Sequence, residues 1–510
     1  MSKTQSDRIH RRSLLGGTAT LVAATTGSAL AQNAAQAPAP GGRQLSENPA
    51  RLEFRQGFPS AETSARLIND LRFQQAVQTY YWAMPAMSLY SMREAQERQF
   101  GSGSNIMVVW KDRINAKTVI LTPNPDVIYA FAWLDLKRDG PTVVEAPPQM
   151  QGLMDDMWHR PITDVGAAGP DRGAGGKFLL LPPDHQGDHP QGYYAFRSPT
   201  FGVFVFWRAF LDNGSTAPGV ALIERTRIYP LARQENPPPM RFPNASGVPM
   251  NMLFPTDITF FENLSKFLEA EPAEQADFGM RGLAAGIGVA KGQRFNPDAN
   301  ARTMLNRAAQ VASDTARSLA LRTPQQAPET RIYPDRVWQR MFAVDNASFE
   351  GPSAANPTYL DWDARIHFFQ DAYGTSPAMV VAMPGRGSQY IDGLTDADGD
   401  YLDGGKSYRV HIPANVPAAN YWSYVLYDSE TRSLLDNGQP FPSIASNTNL
   451  KLNADGSADI YFGPEAPRDG NSNWIRTVPG KGYVGGLRLY SPTTAFFDKS
   501  WKPGNIEKLS

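Results

Sequence analysis

The 510-residue chain carries 49 Lys and Arg against 50 Asp and Glu, a net charge of −1, which leaves no basic footprint for nucleic acid. It has no cysteine, so disulfides, a thiol nucleophile and thiolate-held iron–sulfur clusters are excluded. The length exceeds one ordinary core, 41% hydrophobic residues suffice for globular domains, and 43 Gly with 42 Pro favour a turn-rich, strand-rich protein.

In chain order, Arg11-Arg12-Ser-Leu-Leu15 precedes a mildly apolar run that ends in Ala29-Leu-Ala31, a small-x-small cleavage pattern. This predicts a twin-arginine export signal over residues 1–31, and a periplasmic or secreted protein. Residues 32–50 are Ala/Pro/Gly-rich and read as a flexible linker. No later run is long and apolar enough to predict a membrane span. Residues 51–235 are expected to hold an N-terminal helix and a first β domain. Ser60 caps a helical pattern through Leu67, Leu71, Val77, Tyr80, Tyr81 and Met84. Pro85 should kink or end it, with a second piece over 87–99. From Asn105 to Pro230 the period changes to that of strands, among them 127–134, 142–146, 177–181 and 203–210.

Residues 236–389 read as a mainly helical bridge, with helical patterns over 256–269 and from Asn296-Pro297 to about Arg322. A short helix is expected at 338–344. Residues 390–510 form the second β domain, with strands at 407–413, 421–428, 458–462 and 482–490 between turns of Gly, Pro, Asn and Asp. The expected fold is therefore α+β and predominantly β. Two antiparallel β-sandwich or jelly-roll-like domains flank a helical insert and follow an N-terminal helical segment. Tyr129–Asp135 echoes Tyr421–Asp428, and Val205–Arg208 echoes Gly486–Arg488, which raises the question of an internal duplication.

Several spaced motifs resemble a paired bacterial family. Thr122-Pro-Asn124-Pro-Asp126-x-x-Tyr129, Asp155-x-x-Trp158 and Gly176-x-Phe-Leu-Leu-Leu-Pro-Pro183 resemble domain of unknown function 1254, over about residues 60–235. Asp398-Gly399-x-x-Leu402-x-Gly404, Tyr421-Trp422-Ser423, Asp455-Gly456-Ser457, Asn473-Trp474 and Leu487-Arg-Leu-Tyr-Ser-Pro492 resemble its usual partner, domain of unknown function 1214, over about residues 390–502. The resemblance implies exported proteins with two β-rich domains, and no agreed catalytic residues.

The candidate chemistry lies where polar groups accompany aromatic ones. Asn124, Asp126 and Tyr129 mark one strand entrance, and Asp155, Trp158 and His159 another. Arg208 sits inside the apolar run Val203–Phe210, where burial requires a carboxylate partner, with Asp126 and Asp155 as candidates. As a catalytic set, His159 or Asp126 would carry the proton, and Arg208 or Asn124 would stabilise developing charge. Tyr129, Asp155, Trp158, Trp422 and Trp474 are candidate ligand-binding residues. Asp396, Asp398, Asp400 and Asp403 invite a calcium reading, but the twelfth position of that loop is Ser407 where a Glu is required. No cofactor is expected, and no metal-ligand set is assigned. Two functions follow. One is a hydrolase-like periplasmic enzyme with its cleft in the first β domain. The other is a non-catalytic protein that binds a small-molecule, glycan, lipid or protein partner; a homo-oligomer stays open.

Overall fold

The computed structural model describes residues 52–448, 450–468, 470 and 473–509. The expected export signal and linker lie outside them. Two compact units divide the chain, residues 1–64 and 65–510. Among the described residues helix and strand each take 27%, a mixed α+β composition, and these residues form no barrel.

Helix α1 (Ala61–Phe100) is one unbroken 40-residue helix with Pro85 inside it, not the broken pair expected. Proline removes the N–H that would bind the Tyr81 carbonyl. The Arg365 guanidinium takes its place, donating to the Tyr81 carbonyl at 3.2 Å and to the Trp82 carbonyl at 2.9 Å. A donor from outside the helix thus removes the reason to break it.

The first sandwich has nine strands: β1 (Met107–Val109), β2 (Val127–Asp135), β3 (Thr142–Ala146), β4 (Gln151–Asp156), β5 (Pro161–Val165), β6 (Gly176–Leu181), β7 (Tyr194–Arg197), β8 (Gly202–Phe210) and β9 (Arg227–Pro230). They form a five-stranded sheet, β1-β2-β8-β4-β5, and a four-stranded sheet, β7-β6-β3-β9. Between the sandwiches lie α2 (Thr259–Ala270), α3 (Phe278–Gly286), α4 (Ala299–Ala320) and α5 (Trp362–Asp371). Helix α4 is capped by Asp298, whose carboxylate accepts the Ala301 N–H, so it starts just beyond the expected Asn296-Pro297.

The second sandwich also has nine: β10 (Trp338–Arg340), β11 (Ser388–Gly393), β12 (Tyr408–Ile412), β13 (Ala418–Asp428), β14 (Ser443–Ala445), β15 (Ala458–Gly463), β16 (Trp474–Arg476), β17 (Tyr483–Pro492) and β18 (Ile506–Lys508). Strand β10 stands where a short helix was expected. Its pairing with the edge of β11 decides its conformation over local preference. The sheet orders are β10-β11-β17-β13-β14 and β16-β15-β12-β18. Adding nine to each label of the first sandwich reproduces the second. Even the one parallel pair recurs, β6 with β7 and β15 with β16, a departure from the all-antiparallel expectation.

Register fixes which residues correspond. Arg208 on β8 lies opposite Tyr129 on β2, and Arg488 on β17 lies opposite Tyr390 on β11. The Val205–Arg208 echo of Gly486–Arg488 therefore joins true counterparts. The Tyr129–Asp135 echo of Tyr421–Asp428 does not, because the counterpart of β2 is β11.

Alternation along each five-stranded sheet divides its side chains between two cores. Val205 and Trp207 face Phe178 and Leu180 inside the first sandwich, and Tyr424 and Leu487 face Val410 and Phe462 inside the second. The opposite faces, with Tyr129, Phe131, Phe206, Tyr421, Tyr427 and Tyr490, join the helices in one shared core.

Candidate functional site

The loop Thr122–Asp126 joins the two repeats. Thr122 has φ +33°, an unusual value for a β-branched residue. It is held there by its N–H on the Arg432 carbonyl (2.7 Å), its hydroxyl on the Asp371 carbonyl (2.7 Å) and its own carbonyl under Arg488 (3.1 Å). Tyr427 donates its hydroxyl to the Pro123 carbonyl. Asn124 is fully buried and spends both amide hydrogens on the second sandwich, one to the Tyr421 hydroxyl and one to that of Tyr490, each at 2.7 Å. Its backbone N–H meets the Tyr129 hydroxyl at 3.1 Å, and its Oδ1 accepts the Asp126 N–H.

Around this loop gather two arginines and several tyrosines. Arg488 Nη1 donates to the Tyr427 hydroxyl at 2.8 Å, and its guanidinium lies 4.6 Å over the Tyr390 ring. Arg208 Nη1 reaches the Tyr390 hydroxyl at 3.4 Å, and its guanidinium stacks 4.6 Å over Phe206. Among the described residues neither arginine has an ion pair, and the Nε of each is without a partner. Tyr421 and Tyr490 stack face to face at 4.4 Å. Burial alone would push the Tyr490 phenol up. Arg488, Arg208, the Asn124 amide and the Tyr421 hydroxyl outweigh it and pull the phenol below its usual value, while Tyr421 is pushed well above. A small cavity of about 40 Å³ opens on the centre, lined by Arg208, Arg386, Ser388 and Tyr490.

The structure corrects the expected partners of Arg208. Asp126 pairs instead with Arg113, which also bonds the Pro125 carbonyl and stacks on Phe441; Ser443 supplies a further hydrogen bond at 3.1 Å. Burial raises the Asp126 carboxyl, against the pull of Arg113. Asp155 accepts the Thr375 N–H at 2.9 Å and lies 3.5 Å from His159. Burial pushes the Asp155 carboxyl well up and the His159 imidazole down to about 3. His159 Nδ1 accepts the Gly374 N–H at 3.2 Å, and the ring stacks on Phe369 in full burial.

The aromatic candidates separate. Tyr129 is at the centre. Trp158 packs on Trp82 at 4.7 Å and on Phe267 at 5.3 Å. Trp422 faces the interior of the second sandwich, and Trp474 lies on edge strand β16, so neither reaches the centre. In the acidic turn, Lys508 Nζ stands 3.8, 3.2 and 3.6 Å from Asp396, Asp398 and Asp400. Residues 52–448, 450–468, 470 and 473–509 contain no cluster of three His, Asp or Glu set to hold a metal ion.

Sequence reasoning missed Tyr390, Tyr421, Tyr427, Arg488 and Tyr490 as a set. The available signal was Arg488, an arginine inside an apolar strand in the same manner as Arg208.

Two sandwiches of one strand order, meeting over a shared arginine–tyrosine centre, define a duplicated β-sandwich protein. The chain belongs to a paired family: residues 104–230 match the model described as Protein of unknown function (DUF1254), and residues 387–494 the model described as Protein of unknown function (DUF1214). The fold is similar to the crystal structure of the VPA0106 protein from Vibrio parahaemolyticus, at 17% identity and a TM-score of 0.53, over 86% of this chain and 100% of that one. An uncharacterized protein from Burkholderia cenocepacia aligns over 88% of this chain and 96% of its own, at 12% identity and a TM-score of 0.36. No curated protein matches the chain.

Proposed function

We propose that the protein is a hydrolase-like acid–base enzyme for a small carboxylate-bearing substrate, acting at the arginine–tyrosine centre. The observation that carries this reading is a pair of arginines, Arg208 and Arg488, without ion-pair partners among the described residues, beside a tyrosine hydroxyl that is easier to ionise than usual. Buried cations without carboxylates favour an anion, supplied by the Tyr490 phenolate or by a ligand. Tyr490 is the proton carrier of this proposal, in the place first considered for His159 and Asp126. Arg208, which lines the cavity, holds the substrate carboxylate, and Asn124 positions Tyr490.

The test uses p-nitrophenyl esters of small dicarboxylic acids together with thermal melting in the matching free acids. The expected result is ester turnover that Tyr490→Phe removes without abolishing the melting shift, whereas Arg208→Gln removes the shift as well. A shift without turnover in any ester supports instead the non-catalytic binding protein. No shift and no turnover sinks both.

Export by the twin-arginine route is part of the proposal. It rests on Arg11, Arg12 and the Ala29-Leu-Ala31 pattern. Changing both arginines to lysine should retain the protein in the cytoplasm; unchanged export would rule the route out.

A further inference from the structure

The two five-stranded sheets correspond row by row, and one row differs in kind. In the first repeat, Val108, Phe131, Phe206 and Leu153 lie side by side across β1, β2, β8 and β4. In the second, the same places hold Gln339, Asp392, Gly486 and Val425. The first row is solid: Phe131 and Phe206 pack edge to face at 5.0 Å. The second leaves a chamber of about 20 Å³, room for one hydroxyl-sized group, bounded by Asp392, Asp371, His367, Arg340 and Gln339. A Cβ on Gly486 would come within 2.9 Å of the Tyr427 ring and 3.3 Å of Asp392 Oδ1, so the glycine makes room for these two side chains.

Three polar atoms at this chamber have no hydrogen-bond partner, although Asp371 Oδ1 lies 4.0 Å from Arg432 Nε. Gln339 is 5% exposed, and its Oε1 has no hydrogen-bond partner. Neither Asp371 Oδ1 nor Arg340 Nε has one. Buried polar atoms of this kind are destabilising when left unpaired. Three such atoms on residues that bound one chamber are a reason to look for a ligand. Burial raises the Asp371 and Asp392 carboxyls to about 7 and lowers His367 to about 4, so above neutral pH two carboxylates stand against two guanidiniums, Arg340 and Arg432. A neutral group fits that balance. A hydroxyl, one donor with two acceptor lone pairs, can give to Asp371 or Gln339 and take from Arg340.

Leu321, Leu394 and Val484 line both the chamber and a much larger groove of about 880 Å³ between α4 and the second sandwich. The groove floor is apolar, with Leu319 and Leu402 beside those three, and Ser318 on α4 lies at its side. From this geometry we infer a second ligand site, distinct from the arginine–tyrosine centre, that takes the alkyl chain of a neutral alcohol in the groove and its hydroxyl in the Gln339–Asp371–Asp392 chamber.

The test is thermal melting of the full chain, followed by intrinsic fluorescence, with n-octanol, octanoate and octylammonium. Octanol should raise the melting temperature and bind about tenfold or more tightly than either charged analogue. Asp392→Leu swaps the carboxylate for an apolar side chain of similar size. It should fold with an unchanged or higher melting temperature and lose the octanol response. Ser318→Trp, at an exposed position, blocks the groove without touching the chamber and should lose it too. A larger response to octanoate, which would place the head group on Arg317 or Arg322 at the rim, overturns the inference. So does a larger response to octylammonium, an octanol response that survives both variants, or no response to octanol.

Discussion

Among single residues, Tyr490 and Glu271 make opposite statements about burial. For Tyr490 the neighbours win: two guanidiniums and an amide hydrogen bond outweigh the cost of removing a phenolate from water. Its ultraviolet titration should therefore show one phenol ionising below the usual range, a step absent in Tyr490→Phe. Arg488→Met should move that step upward, since the stronger of the two guanidinium charges is gone. For Glu271 burial wins. Its carboxylate accepts the Phe201 N–H at 2.6 Å and the Gly202 N–H at 3.0 Å, yet burial still pushes it up to about 7. A carboxyl raised in the folded state contributes stability that is fully present below its unfolded value, near 4.5, and is lost as pH rises through 7. The loss is on the order of 3 kcal/mol from this residue alone. Urea titrations at pH 5 and pH 8 should show it, and Glu271→Gln should flatten that pH dependence.

At the scale of elements, α1 argues that a breaker residue is a conditional statement. Pro85 forbids one backbone hydrogen bond, and whether the helix breaks depends on who else can serve the orphaned carbonyl. Arg365, from α5, serves two. Replacing Arg365 with Met should cost about 2–5 kcal/mol, because it leaves buried carbonyls unpaired. Pro85→Ala restores the local N–H, so it should recover part of that loss in the Arg365→Met background while changing the parent little. A double-mutant cycle by chemical denaturation measures the coupling; strict additivity would show that the guanidinium does not substitute for the missing donor. The same element-scale logic explains what the sequence made legible. Alternation and turn residues placed most of the long strands, because those signals are local. Strand β10 was misread because three residues at a sheet edge take their conformation from β11, nearly fifty residues on. The arginine–tyrosine centre was half legible. Arg208 announced itself as a charge in an apolar strand, but its partners come from β11 and β17, and no local pattern names them.

For the whole molecule, the duplication separates scaffold from specialisation. Tyr129–Arg208 and Tyr390–Arg488 occupy the same register in both repeats, which makes the facing sheets quasi-symmetric about the centre. The symmetry ends at Asn124, Tyr421 and Tyr490. Phe210 on β8 corresponds by register to Tyr490 on β17, so only one repeat carries a hydroxyl there, and the Thr122–Asp126 loop reaches it from the other side. That loop bonds the second sandwich through Thr122, Pro123, Asn124 and Asp126, and both outer sheet faces share one core with the helices. Residues 65–510 should consequently unfold in a single transition, with fluorescence and far-ultraviolet circular dichroism superimposable. Asn124→Ala leaves two tyrosine hydroxyls without the amide that holds them and should cost about 2–4 kcal/mol. If the sandwiches are independent, the loss will appear as a split into two transitions. If the loop couples them, as its bonds to both repeats require, the midpoint will fall while the transition stays single.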